Sequence, residues 1–195
     1  MTNVLTTTEK KLIKCLDRPS IRIRIPQLVH NQSKRPTIKN WPNFYEPLNI
    51  SQILEKGYNW GIRCGKKVGN YYFAVIDLDD IWAKERIKVN RYIQTAKGIH
   101  CYILIKELPP NSILTNSQGQ RIGELSSLGR QVVGIGSIHH SGIRYSLKGQ
   151  NNSSWFLKFE NIKELEKFLA ERGIFRKNRK NKIWSKNQKL IWRVN

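Results

Sequence analysis

The 195-residue chain carries 35 Lys and Arg against 14 Asp and Glu, a formal net charge of +21 and a pI near 10.2. That balance calls for a polyanionic partner, with nucleic acid ahead of an anionic membrane surface. A hydrophobic fraction of 39% with 10% aromatics excludes a chain disordered throughout, and no apolar run reaches the ~18 residues that a membrane span needs.

The N-terminal stretch MTNVLTTTEKKLIKCLD has neither the charged head nor the apolar block of a secretion signal. It is Thr-rich and basic, so an organellar address stays open within an intracellular reading. The periodicity of TTEKKLIKCL predicts a helix over 7–16, ended by Pro19. IRIRI, 21–25, reads as a short strand stopped by Pro26, and 30–43 as a loop with two prolines. NISQILEKG, 49–57, predicts a short helix with Asn49 as N-cap and Gly57 as its stop. GYNWGIRCG is a Gly-punctuated strand or turn. YYFAVIDL, 71–78, is a central strand, and IWAKERIKVNRYI, 81–93, is expected to be helical. HCYILIKE, 100–107, is apolar almost throughout, as in a strand buried on both faces. RQVVGIGS, 130–137, and IRYSL, 143–147, are expected to pair around the turn HHSG. SWFLKF, 154–159, is a further strand. NIKELEKFLAERG, 161–173, is a helix capped by Asn161 and ended by Gly173. The mixture predicts an α+β fold with a mostly antiparallel sheet.

Charge divides the chain. Residues 1–44 hold nine Lys and Arg against two acids, and 174–195 hold eight against none. The centre is closer to balance. A basic N-terminal segment, 1–30, a more balanced central domain, 31–173, and a basic C-terminal tail, 174–195, are therefore expected. The tail interleaves Phe175, Trp184 and Trp192 with its cations, a pattern that suits phosphates and stacked bases. Cys15, Cys64 and Cys101 form no C-x-x-C pair, which implies neither a zinc knuckle nor a disulfide framework and fits a reducing compartment.

Against this basic background FAVIDLDD, 73–80, ends a buried strand on carboxylates. Asp77 and Asp79, at i and i+2, point to one face and repel unless a cation lies between them or one is protonated. Mg²⁺ or Mn²⁺ suits such oxygen donors, and two ions ~4 Å apart can activate a 3′-hydroxyl and steady a leaving pyrophosphate. D-x-D alone would equally describe solvated acids at a strand end. The net charge of the chain favours the metal.

The order of the remaining motifs resembles the prim-pol catalytic domain of the archaeo-eukaryotic primase superfamily. Lys34, Pro36 and Trp41 precede Asn59, Gly61, Ile62 and Gly65; Val75 to Asp79 follow; then come Thr95, Gly98, His100 and Tyr102. Glu124 is next, and Gly129 to Val133, Ser137, His139, Ser141, Gly142 and Tyr145 close the series. The resemblance covers roughly 34–147. It implies a primase catalytic fold, in which an RRM-like sheet bears the acids and a smaller N-terminal α/β module packs on it. It implies Asp77, Asp79 and Glu124 as ligands of two divalent ions, Glu124 standing where the family more often has Asp. It implies His100 against the phosphates of the incoming nucleotide. Lys97 would offset triphosphate charge, and Gly98 would let the backbone come close to that ligand. Ser137 and His139 would support nucleotide binding, and Arg63 and Arg130 would contact phosphate or template.

The implied activity is DNA primase or polymerase in the replication of a mobile element, virus or organelle. Its partners would be a single-stranded DNA template and nucleoside triphosphates, with no membrane. No G-x-x-x-x-G-K-[ST] loop is present, and a stand-alone enzyme, a subunit that relies on a separate helicase and a remnant of a larger replication protein all fit. Two readings of other classes stand beside it. One is a catalytically silent, primase-derived protein that binds single strands. The other is an RRM-type RNA binder using Tyr71, Tyr72 and Tyr102, although no RNP signature is present. The adjacent His139 and His140 lack the spacing of a nicking endonuclease.

Overall fold

Nearly continuous apolar runs suit strands covered on both faces, and the two longest, 71–78 and 99–105, lie side by side at the centre of the molecule. The structure, a computed structural model, describes residues 5–16, 22–26, 36, 41, 49–80, 82–150 and 154–178. In chain order its elements are α1 (Thr7–Leu16), β1 (Arg22–Pro26), α2 (Ile50–Glu55), β2 (Tyr58–Arg63), β3 (Lys67–Val68), β4 (Tyr71–Leu78), α3 (Ala83–Ile87) and β5 (Arg91–Gln94). These are followed by β6 (Ile99–Ile105), β7 (Ser112–Thr115), β8 (Arg121–Ser126), β9 (Gln131–Val133), β10 (Ser146–Gly149), β11 (Leu157–Phe159), α4 (Ile162–Ala170) and β12 (Phe175–Asn178).

Nine strands form the main sheet, in the order β10-β5-β6-β4-β8-β7-β12. β11 joins β6 on the edge that β5 also uses, and β3 joins β4 on the edge that β8 also uses. Every pairing is antiparallel except β11 with β6. A second, three-stranded sheet has the order β1-β2-β9. The class is therefore α+β with a mostly antiparallel sheet, as the pattern predicts.

Strand alternation assigns the two faces of the main sheet. Ala74, Ile76, Leu78, Ile103 and Ile105 pack against Leu165 and Leu169 of α4. Phe73, Val75, Tyr102 and Leu104 face a second layer that includes Trp60 and Ile62 of β2, Leu12 and Leu16 of α1, and Leu54 of α2. Trp60 has no exposed surface; its Nε1–H donates to the Ile135 carbonyl at 2.7 Å. Gly134 leaves room for that ring, since a Cβ there would lie 2.2 Å from it.

The caps explain where the helices begin. Asn49 accepts from Gln52 N–H at 3.2 Å to start α2, and Asn161 accepts from Glu164 N–H at 2.9 Å to start α4. At α1 a capping box forms: Thr6 Oγ1 accepts from Glu9 N–H at 3.2 Å, and Glu9 accepts from Thr6 N–H at 3.0 Å. The T-x-x-E spacing was there to be read.

Several expectations are corrected. The helix expected over 81–93 is confined to Ala83–Ile87; Lys88 turns the chain with φ 48°, and Arg91–Gln94 becomes a strand held by β6 and β10. Segments 130–137 and 143–147 pair only beside the HHSG turn, where Gly136 N–H donates to the Tyr145 carbonyl, Tyr145 N–H to the Ser137 carbonyl and His139 N–H to the Ile143 carbonyl, each at 2.8 Å, next to the bridge Ile138–Arg144; their outer ends pair elsewhere, β9 with β2 and β10 with β5. The start of the basic tail is built into the main sheet as β12, paired with β7. The expected loop at 30–43 lies outside the described residues apart from Pro36 and Trp41, and so do Trp184 and Trp192.

Candidate active site

The register of the main sheet decides which acids meet. Asp77 on β4 is directly opposite His100 on β6 and directly opposite Glu124 on β8. Residues opposed in this way present their side chains on the same face. One row thus runs Glu124–Asp77–His100 across three adjacent strands. It lies on the face shared with Phe73 and Val75, toward the second layer. Asp79, two residues beyond Asp77, keeps to that face: its N–H still donates to the Ile122 carbonyl of β8 at 2.9 Å.

His100 is buried, with Nε2 3.4 Å from Asp77 Oδ1. Its Nδ1 is also buried and has no hydrogen-bond partner among the described residues. Glu124 is half-buried, and Arg121 Nη2 lies 2.5 Å from its Oε1. Asp79 is exposed. Asp80 turns away from the row: it accepts from Trp82 N–H at 3.0 Å and from Arg86 Nη2 at 3.4 Å, the solvated cap expected of an acid at a strand end.

The charge of Asp77 is felt by three buried groups. The Tyr145 hydroxyl is pushed up first by burial and then by Asp77 and Asp79. The thiols of Cys64 and Cys101 are pushed up by burial and then by Asp77, so neither offers a thiolate ligand. Tyr145 packs 5.7 Å from the His100 ring and 6.5 Å from His139, ring centre to ring centre. The 137–145 loop is thereby brought to the face that bears the acids.

Other residues picked out in the sequence take different places. Lys97 is exposed on the β5–β6 turn, where Thr95 Oγ1 accepts from Lys97 N–H and Gly98 N–H at 3.3 and 3.0 Å. Gly98 permits a close approach, but to the end of β4: a Cβ there would lie 1.9 Å from the Leu78 carbonyl oxygen. Ser137 is buried, and its Oγ accepts from Trp60 N–H at 3.3 Å, a brace between the loop and β2. His139 is buried, stacked at 3.8 Å on the exposed His140. Its Nδ1 meets Ser141 Oγ at 2.9 Å and accepts from Ser141 N–H at 3.2 Å, which leaves the ring proton on Nε2. Arg63 is buried at the end of β2 and donates to the Trp41 carbonyl at 3.3 Å. Arg130 is half-buried. Sequence reasoning missed Arg121, whose signal is only its place three residues before Glu124, and Gly123, whose absent Cβ would lie 2.1 Å from the Asp77 carbonyl oxygen.

The donor set is chemically suited to a hard divalent cation: three carboxylates on one face and no available thiolate. As they stand, no three His, Cys, Asp or Glu side chains among the described residues converge on a common metal position. Glu124 would exchange Arg121 for a metal. Among the described residues no helix is long and apolar enough to cross a membrane. No family model matches the chain, and no curated protein matches its sequence.

Proposed function

We propose that the chain catalyses nucleotidyl transfer on a single-stranded template, as a primase/polymerase of the prim-pol type. The observation that carries this reading is the in-register row Glu124–Asp77–His100, extended by Asp79, in a protein of net charge +21. The fold that accompanies it is the primase catalytic fold, with the acid-bearing sheet backed by a smaller module; the two-layer contact around Trp60 is compatible with that.

Asp77, Asp79 and Glu124 would hold Mg²⁺ or Mn²⁺. Bound there, such ions supply charge neutralisation for a triphosphate and acidify a 3′-hydroxyl. The chain's own groups do the positioning. His100, held by burial and facing Asp77, would stand beside the phosphates of the incoming nucleotide. Lys97 adds an exposed cation beside the end of β4. The 3′-oxygen then attacks the α-phosphorus in line, forming a P–O bond as the bond to pyrophosphate breaks. Alignment accounts for most of the rate.

The RRM-type reading loses support at one residue. Tyr102, the aromatic of the central strand, is buried and packs edge-on against Phe73, ring centres 5.3 Å apart, so no base can stack on it.

The test is incorporation of labelled dNTPs or NTPs on a single-stranded template, primed and unprimed, with Mg²⁺ or Mn²⁺. Asp77→Asn is expected to lower incorporation by about 10²–10³-fold or more while template binding persists. Incorporation equal in the variant and the native chain, or none from the native chain with either ion, would sink the proposal.

A further inference from the structure

The edge of the main sheet is interrupted where β5 and β11 meet end to end along β6. A cavity of about 230 Å³ opens there, walled in part by Lys88, Arg91, Trp155, Phe168 and Arg172, and no carboxylate among the described residues lines it. Arg91 follows the alternation of Ile93, on the face that bears the acid row, whereas Phe168 and Arg172 come from α4 and the turn after it, on the opposite side. The cavity therefore sits in the gap between the two faces. From Asp77 it lies two strand spacings, roughly 10 Å, across the sheet, and further along β6 toward Ile103.

Two flat cations are held ready in it. The Arg91 guanidinium lies 4.1 Å from the centre of the Trp155 ring, and that of Arg172 lies 3.7 Å from the centre of Phe168. Arg91 Nε donates to the Gln150 carbonyl at 2.5 Å. Arg172 donates through Nε to the Ile87 carbonyl and through Nη1 to the Phe168 carbonyl, both at 2.8 Å. Stacking and backbone bonds together fix both planes, so little side-chain freedom remains to be lost when a ligand binds. Lys88 adds a third, exposed cation. The exposed Glu171, 3.6 Å from Arg172 Nη1, offsets part of this charge from outside the cavity.

Among the described residues three cations and no acid line this cavity, while Lys88 and Arg172 also line a neighbouring one with Glu85 and Glu171; the net positive charge calls for an anion. Guanidinium forks match phosphate oxygens. A base can lie flat against a guanidinium or an aromatic ring, so the same walls suit a nucleobase. The volume is below the roughly 300 Å³ at which pockets for larger ligands begin, which favours one phosphorylated unit over a longer segment. We propose that this cavity binds the phosphate of a single nucleotide, free or at the end of a strand, with its base against the Arg91–Trp155 stack. The proposal holds whether or not the acid row is catalytic.

The test uses the full ¹⁵N-labelled chain with a chelator present, which keeps divalent ions from the acid row. The readout is the Trp155 indole N–H resonance, assigned with Trp155→Phe. AMP should shift it saturably; adenosine, and a 5′-hydroxyl hexanucleotide, should bind at least roughly tenfold more weakly. Inorganic phosphate should compete with AMP. A 5′-phosphorylated hexanucleotide that binds as tightly as AMP assigns the site to a strand end, and one that binds weakly assigns it to free nucleotide. Lys88→Asn deletes the charge at a residue whose φ of 48° Asn tolerates, so the fold is kept. It should weaken AMP roughly three- to tenfold, and Asp77→Ala should not. An unmoved Trp155 resonance, adenosine as tight as AMP, or native affinity in both Lys88→Asn and Arg172→Gln would overturn the proposal.

Discussion

Glu124 has two suitors. Its Oε1 is 2.5 Å from Arg121, yet its register opposite Asp77 places it where a shared cation would sit. Arg121 is more than half exposed, so the pair is worth at most about 1 kcal/mol. A divalent ion held by several carboxylates outbids that. Removing the competitor should therefore favour the ion: Arg121→Gln is expected to lower the half-saturating Mn²⁺ concentration by up to roughly fivefold. Titration of Mn²⁺ by electron paramagnetic resonance checks this, and weaker binding in the variant would mean that Glu124 is not a ligand. His100 shows how a buried polar residue gains a role from its lane in the sheet. From the sequence it opens a buried strand; only the pairing with Asp77 gives its Nε2 something to face.

Among the elements, α1 and the β5–β6 turn have the most exact fastenings. Glu9 of α1 is buried and takes both nitrogens of Arg144 in a fork, at 2.9 and 2.7 Å, while also accepting from Thr6 N–H and, at 3.3 Å, from Leu147 N–H. Burial pushes its carboxyl up, but the Arg144 hydrogen bonds, the backbone N–H groups and the Arg144 charge outweigh burial and hold it below the usual carboxylate range. The folded-state value is thus below the unfolded one. The stabilisation is complete above the ordinary carboxylate pKa and is lost as pH falls through it toward the folded value. Glu9→Gln should lower the urea midpoint by leaving Arg144 without its carboxylate and should flatten the acid limb of a urea-denaturation series as pH falls through the ordinary carboxylate range. An acid limb identical to that of the native chain would contradict the clamp. At the turn, Gly98→Ala would drive a Cβ against the Leu78 carbonyl, where backbone is the obstacle and neither strand can yield without losing its ladder. A loss of about 1–3 kcal/mol is expected, seen as a lower urea midpoint. At Gly69, where nothing lies within 4 Å, Ala meets no such wall; only its φ of 62° resists.

At the scale of the whole molecule, a chain of net charge +21 carries three carboxylates in or beside one row of its main sheet. Binding of a single strand should be driven by phosphate contacts, independent of that row. Log affinity for an oligonucleotide should fall linearly with log salt, with a slope of about −0.7 per phosphate neutralised. The slope should be the same in Asp77→Asn, which fluorescence anisotropy across a salt series measures. A slope near zero would remove nucleic acid as the partner of the basic surface.

Local chemistry was legible in the sequence. The 7–16 helix, the Asn49 and Asn161 caps and the 71–78 strand depend on neighbours a few residues away, and they are found where the pattern puts them. The excess of cations and the placing of Asp77 and Asp79 on one face are equally local, following from composition and from strand alternation. What needed the tertiary structure is everything set by lane and register. Arg91–Gln94 alternates between buried and half-buried positions, but its helix-like flank hid that until β6 and β10 claimed its backbone. The two segments around HHSG read as a hairpin and pair next to the turn, yet longer-range ladders drew their outer ends to different sheets. Glu124 could be matched to a motif, but the meeting of Glu124, Asp77 and His100 arises from hydrogen-bond register between residues up to 47 positions apart. No local propensity encodes that, because a one-residue slip would turn every one of these side chains to the other face.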